Sequence, residues 1–395
     1  MTTTTPLEFF RRRQAAPARE RSKPRREYTP SFVALGWIIV GLNLLGVVMV
    51  LSASSVAALD EFGSTWYYFS RQLVWVALGM AVLFVAARVD YHRWAAMAAP
   101  MLVVAIAMLV AVLIPGVGVT VNGSTRWLGA GPIQVQPSEF AKLAVLLFVA
   151  NLLARRAKHI RDPRVTLRPV LLVSGLVAGL FMMQPNLGTT MVLAAIVISV
   201  LFVAGSPLPS LAGWGVIGAG AAAWLALSAS YRRDRVLAFL DPWDDPLNTG
   251  WQTIQSAVGI VDGGLTGTGL GASRAKWGFL PFAHTDFIYA IIGEELGLIG
   301  TLVVLALFTA VCVLGIRTAL CAPDRLGMLL AAGVTTWITV QAFVNIGAVI
   351  GILPITGVPL PFVSFGGSSL LASMFAAGML LNVAAQGRPR ARSDE

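Results

Sequence analysis

The sequence predicts an all-α polytopic membrane protein of about ten transmembrane helices, with one large extracytoplasmic loop between helices seven and eight. Three observations predict it. Only 12% of the 395 residues are charged and 56% are apolar, where a soluble domain carries about 25% charged residues. Apolar runs near the ~20 residues that carry a helix across ~30 Å of hydrocarbon follow one another along the chain. These runs are continuously apolar, whereas a barrel needs alternating strands of about ten residues.

In chain order, residues 1–30 form a basic tail: Arg11, Arg12, Arg13, Arg19, Arg21, Lys23, Arg25 and Arg26 stand against Glu8, Glu20 and Glu27, a net +5. The positive-inside rule keeps that tail in the cytoplasm. Spans follow at about 32–52, 71–87, 94–115, 138–154, 167–184, 186–206, 211–229, 287–316, 326–352 and 362–384. The other densely basic loop, Arg155 to Arg168, follows four crossings and so returns to the side of the tail. Arg88 and Arg93, Arg317 and Arg325, and Arg388 to Arg392 fall there too, which places both termini inside. Residues 31–385 read as a single transmembrane domain and 386–395 as a short cytoplasmic tail.

Topology and lipid attraction account for the basic tail, so no nucleic-acid partner is needed. A polar stretch much longer than an n-region precedes the first apolar run, which reads as a retained signal anchor. Cys312 and Cys321 have neither disulfide nor metal spacing. No internal repeat of the kind that marks many transporters is visible.

The outward segment 230–286 is the longest, and before Asp286 it carries five charges of each sign. Loops beyond about 15 residues usually have a function. Asp241-Pro242-Trp243-Asp244-Asp245-Pro246 reads as consecutive turns. Trp251, Ile254, Val258 and Val261 then recur at helical spacing, with Gln252, Gln255, Ser256 and Asp262 pointing elsewhere, the pattern of a short amphipathic helix at the membrane surface. The glycine-rich run Gly263–Gly271 follows no strand and so fails the context of a nucleotide fingerprint. A flexible re-entrant hinge and a loop contacting a diphosphate both remain open for it.

An ionisable side chain in a spanning segment costs at least about 2.5 kcal/mol and asks for a partner or a function. Glu139 and Lys142, three apart, share a helix face. They are either a structural pair, or Lys142 faces a cavity with Arg126 and the two cations seat a phosphate. Thr285 or Asp286 could be no more than an N-cap, but the carboxylate stands beside a histidine, His284, at the end of the long loop. Group transfer from a diphosphate needs cations for the leaving group and a base for the attacking hydroxyl, and one carboxylate with several cations suffices. Glu294 and Glu295 lie about two turns deeper. A buried pair to an arginine is the structural account of them. Within Gly357–Ser369, Pro359 and Pro361 break the helix, and Ser364, Ser368 and Ser369 either satisfy the freed backbone or line the cavity.

Asn122-Gly123-Ser124-Thr125-Arg126-Trp127, Gln136-Pro137-Ser138-Glu139, His284-Thr285-Asp286-Phe287, Gly293-Glu294-Glu295-Leu296-Gly297 and the run Pro359–Ser369 together resemble the SEDS family of shape, elongation, division and sporulation proteins, from about residue 35 to 385. Ala283-His284-Thr285-Asp286 and Leu51-Ser52-Ala53-Ser54-Ser55 resemble its division branch more than its elongation branch. The resemblance implies a peptidoglycan glycosyltransferase that polymerises lipid II into β-1,4 glycan outside the membrane, at the division septum, with inversion at the donor sugar.

The same resemblance implies Asp286 as the essential carboxylate that deprotonates the acceptor 4-hydroxyl, and Arg126 and Lys142 as the cations on the donor diphosphate. Glu139, Trp127, His284, Thr285, Gln255, Ser256, Lys276 and Ser368 are the further candidates for contact with substrate. A divalent cation, Mg or Mn, is left open, with no ligand set for it. The implied partners are lipid II and polyprenyl diphosphate, a class B penicillin-binding protein that crosslinks the strand, and other membrane proteins of the divisome. Phe282 and Asn186 stand where relatives commonly carry acids, which leaves Asp286 with fewer neighbouring carboxylates. Two other functions compete: a lipid II flippase, which would spread ionisable groups across the bilayer, and a scaffold without catalysis.

Overall fold

The computed structural model describes residues 29–121, 124–130, 133–228, 233 and 237–387; the basic tail, Asn122, Gly123 and Arg388 to Arg392 lie outside that range. The helices are α1 (Pro30–Phe62), α2 (Tyr67–Arg88), α3 (Tyr91–Ala96), α4 (Ala98–Leu113), α5 (Pro137–Arg155), α6 (Leu167–Met183), α7 (Leu187–Ala204), α8 (Leu208–Ser228), α9 (Trp251–Gly263), α10 (Ile288–Cys321), α11 (Arg325–Val349) and α12 (Gly367–Gln386). Seven of them, α1, α2, α5, α7, α10, α11 and α12, are long and apolar enough to cross a membrane, and α4 and α6 are shorter apolar helices. The amphipathic helix expected from Trp251 onward is present as α9.

Local chemistry explains where the elements begin and end. Thr29 caps α1 by accepting from the Phe32 amide, with Pro30 at the first turn, and Gly63 closes the helix at φ 68°. The first helix therefore runs ten residues beyond its expected end at 52, because Ala53–Phe62 carries no helix breaker. The expected span 94–115 is divided at Met97 into α3 and α4, and the last helix begins at Gly367 instead of 362. Pro359 and Pro361 cannot supply amides to a helix, so 353–366 runs as turns. The segment 116–137 contains a feature the composition does not announce, an antiparallel sheet in the order β1 (Gly118–Val121), β2 (Ser124–Ala130), β3 (Ile133–Val135).

The core lies along α5, α11 and α12, which are buried over most of their length. α12 runs parallel to α2: Gly367 meets Trp75, Gly79 meets Met374 and Gly378 meets the Leu83 carbonyl, contacts that advance together along both helices. Glycine allows that close approach of backbones. The far part of α10 instead turns Leu298, Ile299, Leu302, Val303, Val313 and Ile316 outward, as a surface covered by lipid requires.

α10 is broken at Gly297, whose backbone sits at φ 67°, ψ −164°. The glycine-rich run fills the break. The Thr268 and Gly269 amides donate to the Glu294 and Glu295 carbonyls at 2.9 and 3.1 Å, and the Leu298 and Ile299 amides donate to the Gly264 and Leu265 carbonyls at 2.9 and 3.2 Å. Four backbone groups beside the break thus find partners in the loop, as backbone at membrane depth requires. A Cβ at Gly263 or Gly267 would strike the α10 backbone. The run plugs the break in α10, and the amides of Thr268 and Gly269 are spent on the helix.

Candidate active site

A cleft of about 720 Å³ opens at one end of the bundle, where the start of α2, strand β2, the start of α10 and the 353–366 turns converge. Asp286, Thr285 and His284 line it with Arg126, Trp127 and Arg71. Among the described residues Asp286 is the one carboxylate on this wall.

Asp286 precedes the first turn of α10, where the helix dipole favours a negative charge. Its carbonyl accepts from Asn345 Nδ2 at 2.7 Å, and the Thr285 hydroxyl lies 3.0 Å from its Oδ1. Gly357 borders the carboxylate so closely that a Cβ there would stand 3.8 Å from Oδ2. His284 is packed between Tyr68 and Phe365, with ring centroids 4.4 and 5.7 Å away. That burial pushes its imidazole down to about 4, so it is neutral at physiological pH and is no cation for a phosphate.

Arg126 lies on β2 and directs Nε to the Gln184 carbonyl at 2.9 Å and Nη2 to the Pro185 carbonyl, which fixes the guanidinium at the cleft edge. Arg71, one turn into α2, stacks its guanidinium 4.5 Å over the Tyr67 ring and also lines the cleft. Sequence reasoning misses Arg71, because a cation at a helix end is ordinary at a membrane interface. The available signal is that the expected topology puts it at the same end as Asp286.

Several expected site residues lie elsewhere. Lys142 does not share a cation seat with Arg126: it is fully buried, 3.0 Å from Glu139 Oε1 and 2.8 Å from Gln341 Oε1, with the Trp337 ring 4.8 Å away. Glu139 is buried with it. A helix-face argument places the pair together and cannot say which way the face turns. Lys276 donates to the Gly271 carbonyl at 2.6 Å and pairs with Glu295 at 3.6 Å, away from the cleft. Ser256 is buried and donates to the Val349 carbonyl, and Gln252 lines the cleft in place of Gln255. Ser368 accepts from the Gln136 amide at 3.0 Å and ties α12 to the start of α5, while its neighbour Ser369 is on the cleft wall.

Glu294 and Glu295 have loop partners and a lysine where an arginine was expected. Glu294 accepts from Ser273 Oγ and the Arg274 and Ala275 amides, and Glu295 accepts from Ser52 Oγ. No group of three or more His, Cys, Asp or Glu residues that could hold a metal ion occurs among the described residues. A divalent ion in the cleft would find one carboxylate, Asp286, among the described lining residues and would take its other ligands from water and substrate phosphate oxygens. Asn186 is buried as the cap of α7, accepting from the Thr189 amide.

A second groove, of about 710 Å³, runs along Leu302–Leu314 of α10. It is aliphatic apart from Thr309 and offers no group for chemistry.

Comparison with known proteins decides the lineage of this cleft. Residues 33–388 match the family model described as cell cycle protein, FtsW/RodA/SpoVE. The chain belongs to the FtsW/RodA/SpoVE family. It is 41% identical to the probable peptidoglycan glycosyltransferase FtsW of Geobacter metallireducens over 87% of this chain and 92% of that one. Stage V sporulation protein E of Bacillus subtilis is 43% identical over 89% and 96% of the two chains. Among solved structures, a peptidoglycan synthase complex described as coordinating polymerization and crosslinking contains a chain similar at a TM-score of 0.72, with 30% identity over 89% of this chain and 96% of that one. The rod shape determining protein RodA of Thermus thermophilus is similar at a TM-score of 0.65, with 27% identity over 91% and 96%. The family's polytopic helical fold is thus the fold of this chain.

Proposed function

We propose that this FtsW/RodA/SpoVE family member is a peptidoglycan glycosyltransferase that polymerises lipid II into β-1,4 glycan on the outer face of the cytoplasmic membrane, inverting the donor sugar. The observation that carries the reading is the cleft itself, where Asp286, the one carboxylate among the described lining residues, shares a cavity with the Arg126 and Arg71 guanidinium groups. Asp286 takes the proton of the acceptor 4-hydroxyl as that oxygen bonds to the donor C1. The C1–O bond to the diphosphate breaks, and the leaving diphosphate keeps the electron pair. Arg126 and Arg71 compensate its charge, so it needs no proton. One base and one displacement give inversion. Trp127 and Tyr68 supply flat apolar faces for sugar rings.

Ten crossings with both termini in the cytoplasm put the cleft on the outer side, following the positive-inside rule. A monofunctional transpeptidase is the partner, consistent with the synthase complex among the structural neighbours. Division at the septum is favoured over elongation by the FtsW relatives, and a fluorescent fusion should gather at midcell; a signal confined to the lateral wall would assign elongation.

The flippase reading requires a polar route through the bilayer. The acid–base groups at depth are instead closed on each other, Lys142 with Glu139 and Glu294 and Glu295 with the 273–276 turn. Purified protein with its transpeptidase, given lipid II in detergent, should yield glycan polymer. Lipid II scrambling in liposomes without any polymer would make the chain a transporter.

A further inference from the structure

Three buried side chains stand at successive turns on one face of α11: Trp337, Gln341 and Asn345. Their hydrogen bonds run in one direction, from the buried ion pair to the cleft. Gln341 Oε1 accepts from Lys142 Nζ and from Trp337 Nε1, each at 2.8 Å, and its Nε2 donates to the Pro359 carbonyl at 3.0 Å. Asn345 Nδ2 donates to the Val358 carbonyl at 2.8 Å and to the Asp286 carbonyl at 2.7 Å.

Both amides have one permitted orientation. Asn345 faces two carbonyls, which only accept, and Gln341 Oε1 faces two groups that only donate. The 353–366 segment they grip has no helical ladder of its own, and its three prolines, Pro354, Pro359 and Pro361, have no amide. At Val358–Leu360 it is held by side chains, Asn345, Gln341 and Ser364, and it forms the wall against which the Asp286 carboxylate lies. A charge as deeply buried as Lys142 is costly unless it is paired, and it does not reach the cleft.

We propose that Gln341 and Asn345 are positioning residues that hold the Asp286 backbone and the Val358–Pro359 wall at a set separation, and that the Glu139–Lys142 pair acts on the reaction through Gln341, without touching the diphosphate. The proposal rests on the glycosyl-transfer reading of the cleft. Its energetic logic is that a general base misplaced by ~1 Å can cost about 100-fold in rate while binding is kept.

The test is Asn345→Leu in the full chain with its transpeptidase, and Asn345→Ser, which is smaller and keeps one donor, if the leucine variant does not fold. Polymerisation of lipid II should lose about 10-fold or more in kcat while KM stays within about twofold. Hydrogen exchange should quicken at 286–290 and 357–363 and stay unchanged at 294–299, where the helix break is held by other bonds. Wild-type kcat with wild-type exchange would overturn the proposal, as would a rise in KM at constant kcat, which marks direct contact with substrate. If the wild-type protein makes no polymer, the glycosyl-transfer reading falls, and the exchange pattern alone decides whether the amides hold Asp286.

Discussion

Asp286 and the Glu294–Glu295 pair lie about two turns apart at the head of α10, and their carboxylates are used in opposite ways. Glu294 is buried and surrounded by donors of the 273–275 turn, and Glu295 bonds Ser52 and pairs with Lys276, so their charge anchors a loop. Asp286 is half-buried on a cleft wall, with guanidinium groups on the same cavity. An ionisable group at membrane depth is a functional candidate by default. The comparison shows what decides the matter: which donors surround the carboxylate, and whether a cavity reaches it.

Glu294→Gln breaks the anchoring half of the comparison. It removes the charge from an acceptor of three donors and turns an amide N–H₂ toward them, so unfolding in detergent should become easier by about 3 kcal/mol. Glycan synthesis should fall only with the folded fraction. A variant of wild-type stability with no synthesis would move Glu294 into the chemistry.

Arg126→Gln and Lys142→Met sharpen it. A charge-assisted bond to a phosphate is worth about 1.5–3 kcal/mol, so Arg126→Gln should weaken use of the donor by about 10- to 100-fold in kcat/KM. Lys142→Met should leave KM within about twofold and lower kcat and stability instead, as a residue acting through Gln341 does. A raised KM in Lys142→Met would return it to the substrate.

The smallest effects come from two histidines at opposite ends of the bundle. His284, half-buried between rings, is pushed by desolvation down to about 4 in the folded chain, below the ordinary value of 6.5. The unfolded chain takes up that proton first, so stability should fall as pH drops from 6.5 toward 4. His92 is raised to about 8 by its hydrogen bond to Asp324 and then by Asp90. Its contribution is complete below 6.5 and fades as pH rises through 8. Unfolding followed against pH should show His284→Phe flattening the acid side and His92→Gln the alkaline side, the latter weakly because the pair is partly exposed and screened by solvent.

The spans were legible because apolar length is a direct physical requirement of the bilayer. So was the amphipathic helix α9, from the period of Trp251, Ile254 and Val258. The strands β1–β3 were not, since seven residues such as Ser124–Ala130 show no alternation that separates a strand from a loop. The placement of Asp286, Arg126 and Trp127 on one cavity follows the motifs, whereas Lys142 and Lys276 were misplaced because spacing along a helix or loop does not report which side a neighbour occupies. Gln341 and Asn345 escape notice for a related reason: an amide on an apolar helix reads as filler until the carbonyls it faces are known.

The central claim is that Asp286 is the base of a glycosyl transfer. Its most direct test is glycan polymerisation by Asp286→Asn beside wild type, at equal folded protein and saturating lipid II. Asp286→Asn should lose about 100- to 10,000-fold in kcat, the span a general base contributes, with lipid II still bound and thermal unfolding unchanged. Polymer made at the wild-type rate by Asp286→Asn would contradict it.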